Sequence, residues 1–262
     1  MKKLFVLALS LILALGAVSA LAEETQPDLL ARIQEKGYIT IATEGDWAPW
    51  TYQEDGELVG LDIDIGKLIA EGLGVEAQFM QTDWDSILAG VDSGRFDIAC
   101  NGVGYTEKRA EKYNFSTPYV YTHKVLVVRS DNEDILTVDD LQGKNTANSP
   151  GSTYAELAES YGATVTYAST LADTIQLLVQ KRVDATINAQ VSINDYLTQQ
   201  PEAPIKVVQV LEGDPVAFPM TKGEDSESLV AAVNEILEKA RQDGTLAEIS
   251  IKYFGLDLTQ PD

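Results

Sequence analysis

Two kinds of apolar pattern alternate along this chain. Short runs rich in branched and aromatic residues are typical of buried strands, and runs with apolar residues at i, i+3 and i+4 are typical of amphipathic helices. Predicted strands cover residues 38–43, 75–80, 96–100, 124–129, 144–147, 164–167, 184–188, 205–210 and 216–220. Predicted helices cover residues 29–36, 63–73, 84–91, 153–161, 171–179, 191–198, 228–241 and 246–253. This alternation favours an α/β fold in which mostly parallel sheets carry helices on both faces.

The first 22 residues are typical of a secretory signal peptide. A pair of lysines precedes an apolar run, residues 4–18, and Ala20-Leu21-Ala22 forms an A-x-A cleavage site. The apolar run is short for a membrane span. We therefore expect export and cleavage after Ala22, which would place the mature protein in the periplasm or another extracytoplasmic compartment. An uncleaved membrane anchor is the alternative.

Charge and composition narrow the possible partners. The formal net charge is −22, and it becomes −24 when the two lysines of residues 1–22 are removed. Such a charge argues against binding to nucleic acid or to anionic lipid. Cys100 and His123 are the only residues of their types, which excludes an intrachain disulfide and a Cys/His zinc cluster. We interpret Cys100 as a core residue and His123 as a surface or hinge residue, and we expect a monomer without metal or cofactor.

The stretch from Asn101 to Tyr119 has the features of a carboxylate receptor. It follows a predicted strand, and Gly102 and Gly104 open the backbone to close approach by a ligand. Thr106 is positioned to cap a short helix, and Arg109 lies near the start of that helix. Backbone amides together with a guanidinium bind small anions well, so we predict that Asn101, Gly102, Gly104 and Arg109 contact a ligand.

A second loop, residues 148–154, lies between a predicted strand and a predicted helix. Gly151 frees its backbone, and Ser152 or Thr153 caps the helix. Taken alone, this is an ordinary helix start. Paired with Arg109, it becomes a second anion site, to which Ser152 and Thr153 contribute. The glycine spacing is not that of a P-loop, which argues against a nucleotide.

Aromatic and acidic residues cluster after the first predicted strand. We expect Trp47 to form an aromatic wall beside a ligand and Trp50 to pack into the core. Trp84 begins a helix and forms either a second wall or part of the core. Glu44 and Asp46 are candidates to accept a hydrogen bond from a ligand.

A weak internal repeat links residues 85–101 to residues 172–188. Each segment runs from a helix through Arg-apolar-Asp into a strand that ends at an asparagine, Asn101 or Asn188. Chance is the alternative, since helix–strand patterns are common. A genuine repeat would place the two asparagines across one cleft, at the strand ends where open α/β sheets bind ligands.

Asp62 and Asp64 alternate with apolar residues before a helix. A metal site would need further ligands at suitable spacing, and none follow. We interpret both residues as surface and helix-capping groups.

These features together resemble the exported amino-acid-binding proteins of ABC importers, bacterial solute-binding family 3. The matching segments, in order along the chain, are residues 43–50, 60–65, 83–85, 93–97, 106–109, 115–119, 140–144, 182–185, 243–246 and 252–255. The resemblance implies a two-lobed, type II periplasmic-binding-protein-like fold with two hinge crossings. Lobe 1 would consist of residues 29–123 and 216–256, and lobe 2 of residues 124–215.

The resemblance also assigns roles to site residues. It implies that Arg109 binds the α-carboxylate of an amino acid, helped by the backbone around Gly102 and Gly104 and by Ser152 and Thr153, with Trp47 against the ligand side chain.

Many family members carry an aspartate for the α-ammonium group at the position of Ala189, which is flanked here by Asn188 and Gln190. This departure implies either a ligand without an α-amine or an amine held by Glu44 or Asp46. The segments around Ser152 and Asn188 look most like the cystine-type branch.

Two functions from different classes remain open at this point. The first is a binding protein that captures a small amino-acid-like solute, such as cystine, and delivers it to an ABC permease. The second is an enzyme similar to cyclohexadienyl dehydratases, with Glu44 or Asp46 as the general acid. A sensor ectodomain is a third interpretation, disfavoured because no membrane span follows residue 22.

Overall fold

The computed structural model describes residues 27–261, so the predicted signal peptide, residues 1–22, lies outside the described residues. The strands in chain order are β1 (Tyr38–Thr43), β2 (Tyr52–Glu54), β3 (Glu57–Val59), β4 (Glu76–Gln81), β5 (Ile98–Ala99), β6 (Tyr113–Phe115), β7 (Val120–Tyr121), β8 (Lys124–Arg129), β9 (Asn145–Asn148), β10 (Thr164–Tyr167), β11 (Ala185–Ala189), β12 (Ile205–Leu211), β13 (Pro215–Val216) and β14 (Pro219–Thr221). The α-helices are α1 (Leu29–Lys36), α2 (Leu61–Leu73), α3 (Trp84–Asp92), α4 (Glu107–Ala110), α5 (Thr153–Ser160), α6 (Leu171–Val179), α7 (Gln190–Gln199), α8 (Glu227–Gln242) and α9 (Thr245–Phe254). Within this part of the chain, no helix is both long and apolar enough to cross a bilayer.

Two sheets organise the described residues. The first has the strand order β4-β1-β5 and is parallel throughout. The second has the order β10-β9-β11-β8-β12, and β8 runs antiparallel to both of its neighbours. The expectation of mostly parallel sheets is therefore correct for the first sheet but only half correct for the second. The difference arises because β8 runs against β11, a direction that no local sequence pattern specifies.

Each sheet has its own apolar core. The first sheet packs with α1, α2 and the C-terminal helices, so that Ile33, Ile41, Ile69 and Val233 share one cluster. Alternate residues of β8 point to opposite faces of the second sheet, and Val127 and Leu126 belong to separate clusters there. The chain thus returns to the first core after building the second. The lobe boundaries that the sequence implies, 29–123 with 216–256 and 124–215, stay a prediction.

Two neighbouring segments connect the sheets. β7 pairs with β13 in antiparallel fashion, with Val120 opposite Val216. Between them, the two backbones approach so closely at Gly213 that a Cβ atom there would lie 1.6 Å from the carbonyl oxygen of Thr122. Only a glycine can occupy this position without moving the opposite segment.

The hairpin formed by β2 and β3 is not among the elements predicted from the sequence. Its two-residue turn is Asp55-Gly56, and both residues have positive φ, 51° and 84°. An Asp-Gly pair in this conformation is the commonest signal for a tight hairpin, so the evidence was present in the sequence.

The two segments of the internal repeat use their aspartates in the same way. Asp97 accepts a hydrogen bond of 2.7 Å from the backbone nitrogen of Thr40 in β1. Asp184 accepts one of 2.9 Å from the backbone nitrogen of Asn145 at the start of β9. In each sheet, the aspartate that precedes a strand fastens it to the neighbouring parallel strand. The two halves of the protein therefore use the same local device.

Candidate functional site

A cavity lies between the two sheets and their crossing segments. Most of the residues that the sequence predicts for a site line this cavity, namely Glu44, Asp46, Trp47, Trp84, Gly102, Gly104, Arg109, Ser152, Thr153 and Asn188. The exception is Asn101, which is fully buried behind the cavity wall. No cluster of three or more potential metal ligands occurs among residues 27–261.

Arg109 brings a positive charge to the cavity. Its Nη1 donates to the carbonyl oxygen of Gly104 at 2.9 Å, and its Nη2 donates to the carbonyl oxygen of Gly151 at 3.2 Å. The guanidinium carbon lies 5.4 Å from the centre of the Trp84 ring. Burial lowers the pKa of Arg109 from its usual value, but a guanidinium stays protonated in proteins. A desolvated cation with further N–H groups is therefore available to an anion.

The segment that carries Arg109 bridges the two sheets. Thr106 caps α4 as predicted, accepting a hydrogen bond from the Arg109 backbone nitrogen. Because α4 is a single turn, its positive charge comes from side chains rather than from a helix dipole. Lys108, on the same turn, forms an ion pair of 2.5 Å with Glu156 of α5. These bonds connect α4 to α5 and to the loop that precedes α5.

The loop that contains Gly102 and Gly104, which we call the glycine loop, differs from the predicted set of free backbone amides. The nitrogen of Gly102 donates to the Asp62 carboxylate at 2.6 Å, so this amide is already engaged inside the protein. Gly102 has a φ of 56°, and a Cβ atom there would lie 2.8 Å from the Trp47 ring and 2.9 Å from the Trp50 ring. Glycine is therefore required for the aromatic packing behind the loop.

The interpretation of Asp62 as a surface and capping residue is wrong. Asp62 is completely buried and makes no capping bond; its carboxylate accepts hydrogen bonds from Gly102 and from the hydroxyl of Tyr119 at 2.7 Å. Burial raises the pKa of Asp62 to about 7. Its spacing from Ile65 and Ile69 puts it on the core face of α2, a helical signal that the alternation of polar and apolar residues concealed. Asp64 does lie at the surface side, bonded to Lys252.

Asn101 acts on the cavity through Glu44. Its side-chain nitrogen donates to the Glu44 carboxylate at 2.6 Å, and its side-chain oxygen accepts from the Glu44 backbone nitrogen at 2.8 Å. Burial raises the pKa of Glu44 to about 7, and burial also raises the pKa of Asp46. The expectation that Asn101 and Asn188 face each other across the cavity is not met, because Asn101 is turned toward Glu44.

Trp47 and Trp50 differ in burial as predicted, although both contribute to the cavity lining. Trp47 lines the cavity and stacks on Trp50, with 5.6 Å between ring centres. Trp50 is only 1% exposed and packs edge-on against Phe254. Trp84 lines the cavity under the Arg109 guanidinium, so it forms a second wall.

The loop before α5 is built as a helix cap. The Ser152 hydroxyl accepts from the Ala155 nitrogen at 3.1 Å and donates to the Ser149 oxygen at 2.8 Å. This confirms Ser152 as the capping residue. Its hydroxyl is thereby committed to the protein, while the first N–H groups of α5 lack intrahelical partners and point out of the helix start beside Arg109.

The cavity also contains two charged residues that are not predicted from the sequence. Lys124, at the start of β8, and Asp214, just before β13, both line it and form an ion pair of 2.9 Å. They lie 90 residues apart, on the two segments that connect the sheets. The only signal was the implied position of the hinge crossings, since residues at the crossings face the space between two lobes.

Ala189, at the position where the resemblance implies an aspartate for the ammonium group, offers no side chain to the cavity. It is completely buried and does not line the cavity. The flanking Asn188 does line it, and its side-chain oxygen accepts from the Ala189 nitrogen at 2.8 Å.

Comparison with known proteins identifies the family and agrees with the fold. A family model for bacterial extracellular solute-binding proteins, family 3, matches residues 39–256. A probable amino-acid ABC transporter-binding protein of Haemophilus influenzae is 36% identical over 248 residues, which is 94% of this chain and 95% of that protein. The L-cystine-binding protein TcyA of Bacillus subtilis is 37% identical over 235 residues, 89% of this chain and 87% of that protein.

Solved structures agree as well. An ancestral arginine-binding protein bound to glutamine superimposes with a TM-score of 0.78 and 32% identity over 84% of this chain and 98% of that one. The fold is therefore the α/β periplasmic-binding-protein fold, and the relatives are transport proteins rather than enzymes. The chain belongs to the bacterial extracellular solute-binding proteins of family 3 and is an amino-acid-binding component of an ABC transporter.

Proposed function

We propose that this protein captures one small amino acid, with L-cystine as the first candidate, in the cavity between its two lobes and delivers it to a membrane permease. The observation that carries the proposal is the position of Arg109. Its guanidinium lies between the glycine loop of one lobe and the Gly151 carbonyl of the other. A carboxylate bound there would contact both lobes at once, which is what ligand-driven closure requires.

The proposed pose follows from the distribution of charge. The α-carboxylate lies against Arg109 and the first amides of α5, which together form an anion site. The side chain extends between Trp47 and Trp84. Glu44 and Asp46 lie on that aromatic side of the cavity and suit a polar or cationic group at the far end of the ligand.

L-cystine fits this pose because it carries a carboxylate and an ammonium group at each end. The cavity contains two cations, Arg109 and Lys124, and three acids, Glu44, Asp46 and Asp214. The similarity to TcyA, whose name describes an L-cystine-binding protein, supports the same choice.

A thermal-shift screen of residues 23–262 against the common amino acids, L-cystine and desamino carboxylates tests the proposal. A ligand at 100 times its dissociation constant stabilises the folded state by about 2.7 kcal/mol. We expect L-cystine to give the largest increase in melting temperature. A larger shift with another amino acid would replace the candidate, and no shift with any amino acid would overturn the proposed function.

We also propose that the protein works outside the cytoplasm after removal of residues 1–22. The supporting features are the lysine pair, the apolar run and the A-x-A site. N-terminal sequencing of the exported protein should begin at Glu23. A mature protein that retains Met1 would contradict cleavage.

A further inference from the structure

The proposed pose leaves one group of the ligand without a partner. In an α-amino acid the ammonium and the carboxylate are attached to the same carbon. An acceptor for the ammonium must therefore lie next to the carboxylate clamp, by which we mean Arg109 and the first amides of α5. Ala189, at the position where many family members carry an aspartate, is fully buried and offers no side-chain acceptor. A buried ammonium without a counter-charge would be costly, so another acid should take this place.

Asp214 is linked to that position through Lys124. Ala189 in β11 is paired with Lys124 in β8, and on the other side Lys124 is paired with Leu211 in β12. Directly opposed residues in antiparallel strands are about 5 Å apart. The Lys124 ammonium then binds the Asp214 carboxylate at 2.9 Å. The residue paired with Ala189 in the neighbouring strand thus holds a carboxylate from the second crossing segment.

Asp214 also lies beside the carboxylate clamp. A Cβ atom at Gly104 would be 2.9 Å from the Asp214 Cβ and 3.0 Å from its Oδ2. Gly104 is the residue whose carbonyl oxygen accepts from Arg109. Asp214 and Arg109 therefore both contact Gly104. The negative charge of Asp214 raises the pKa of Arg109 and so opposes the effect of burial.

The other acids of the cavity interact with a different set of groups. Glu44 is held by Asn101, and the charges that act on it are those of Asp46 and Asp83. Neither Glu44 nor Asp46 is among the groups with a main electrostatic effect on Arg109, which are Asp214, Glu156, Tyr154 and Tyr113. The acids around Glu44 therefore suit the far end of a ligand, and Asp214 suits the end that carries the α-carboxylate.

We propose that the Asp214 carboxylate accepts the α-ammonium group of the ligand, oriented by Lys124, in place of the aspartate that other family members carry near residue 189. This assignment rests on the proposed function. It also puts a ligand contact on the second crossing segment, next to Gly213, where the two lobes join.

The test compares ligands with and without the amine. L-cystine is paired with 3,3′-dithiodipropionate, and L-arginine with 5-guanidinopentanoate, which lacks only the α-amine. Each is titrated by calorimetry into the wild type and into Asp214→Asn, Lys124→Gln and Asp131→Asn. Asp131 is an exposed acid that pairs with Lys181 and does not line the cavity, so its variant controls for the loss of one negative charge.

We expect the wild type to prefer the amino acid of its pair by about 100-fold or more, since a site built to bind a polar group rejects the analogue that lacks it. Asp214→Asn should remove most of this preference, because it weakens binding of the amino acid. The affinity for the desamino analogue should stay within about threefold of the wild-type value. Lys124→Gln should retain the preference, because the Asp214 charge remains. Asp131→Asn should match the wild type.

Three results would overturn the assignment. Equal weakening of both ligands in Asp214→Asn would show that Asp214 only supports the fold through Lys124. Unchanged preference in Asp214→Asn would move the ammonium to Glu44 or Asp46, which Glu44→Gln and Asp46→Asn would then reveal. A wild type that binds no amino acid would remove the proposed function itself, and the wild-type titrations separate that failure from the other two.

Discussion

The carboxylate of Asp62 and the backbone nitrogen of Gly102 are joined by a hydrogen bond of 2.6 Å inside the first core. Asp62 belongs to α2, and Gly102 belongs to the loop that leads to Arg109. A second bond from Tyr119 to the same carboxylate holds it from the other side. A completely buried acid therefore fixes the glycine loop of the binding site without touching the cavity.

Stability should depend on pH through Asp62. Its ordinary pKa is 3.8, and burial raises the pKa in the folded state to about 7. Between these values the folded protein binds a proton that the unfolded chain releases, so stability decreases as the pH rises from about 4 to 7. A difference of this size corresponds to at most about 4 kcal/mol. Urea denaturation from pH 5 to pH 8 measures the effect.

Asp62→Asn should flatten this pH dependence, because an amide can still accept from Gly102 and can donate to Tyr119. The part due to Glu44 should remain. Asp139→Asn, at an exposed acid, is the control and should reproduce the wild-type curve. If Asp62→Asn also follows the wild-type curve, Asp62 is not the titrating group.

Arg109→Ala should abolish measurable binding of carboxylate ligands, a loss of at least about 100-fold, because a desolvated carboxylate would have no counter-charge. Arg109→Lys should recover only part of the affinity, since an ammonium cannot form the two parallel hydrogen bonds that a guanidinium makes to a carboxylate. Lys108→Ala, one position away and exposed, should change affinity by less than about fivefold. Calorimetry with L-cystine decides, and unchanged affinity in Arg109→Ala would exclude Arg109 from the site.

Ligand affinity should depend on pH through Glu44. Burial raises the pKa of Glu44 to about 7, so its carboxylate is mostly ionised at pH 8 and mostly protonated at pH 6. A ligand with an ammonium at its far end should therefore bind several-fold more tightly at pH 8 than at pH 6. Glu44→Gln should remove the dependence, and Asp62→Asn should keep it. Tighter binding of this ligand at pH 6 than at pH 8 would contradict a cationic ligand group near Glu44.

Gly213→Ala should destabilise the junction between the lobes. Its Cβ would lie 1.6 Å from the Thr122 carbonyl oxygen, so the two crossing segments must separate. We expect a loss of about 2–4 kcal/mol in the free energy of unfolding. Gly143→Ala is the matched control, because its φ is 74° but its Cβ would meet nothing within 4 Å, which limits the cost to about 1 kcal/mol. Equal losses in the free energy of unfolding for the two substitutions would mean that the crossing segments can separate at little cost.

The sequence predicted the site best where local chemistry is self-contained. Thr106 and Ser152 are capping residues that follow glycine-containing loops, and both positions are recognisable from neighbours alone. Lys124 and Asp214 were missed because their ion pair depends on the meeting of two distant segments. Asp62 was misinterpreted because its role depends on which face of α2 is buried.

The fold shows the same division. Strand–helix alternation predicted an α/β architecture and most of its elements. The antiparallel direction of β8 depends on where the chain crosses between lobes, and no periodicity records that. The hairpin turn at Asp55-Gly56 was recognisable but overlooked.

The position of β8 has a mechanical consequence. This strand begins at Lys124, at the crossing and the cavity wall, and continues between β11 and β12 as an inner strand of the second sheet. A rotation at its first residue is therefore passed to the whole sheet through backbone hydrogen bonds, with no chain of side chains in between. The outer faces of the two lobes would report occupancy by their relative orientation, and a membrane partner that contacts both could distinguish a loaded carrier from an empty one by shape alone.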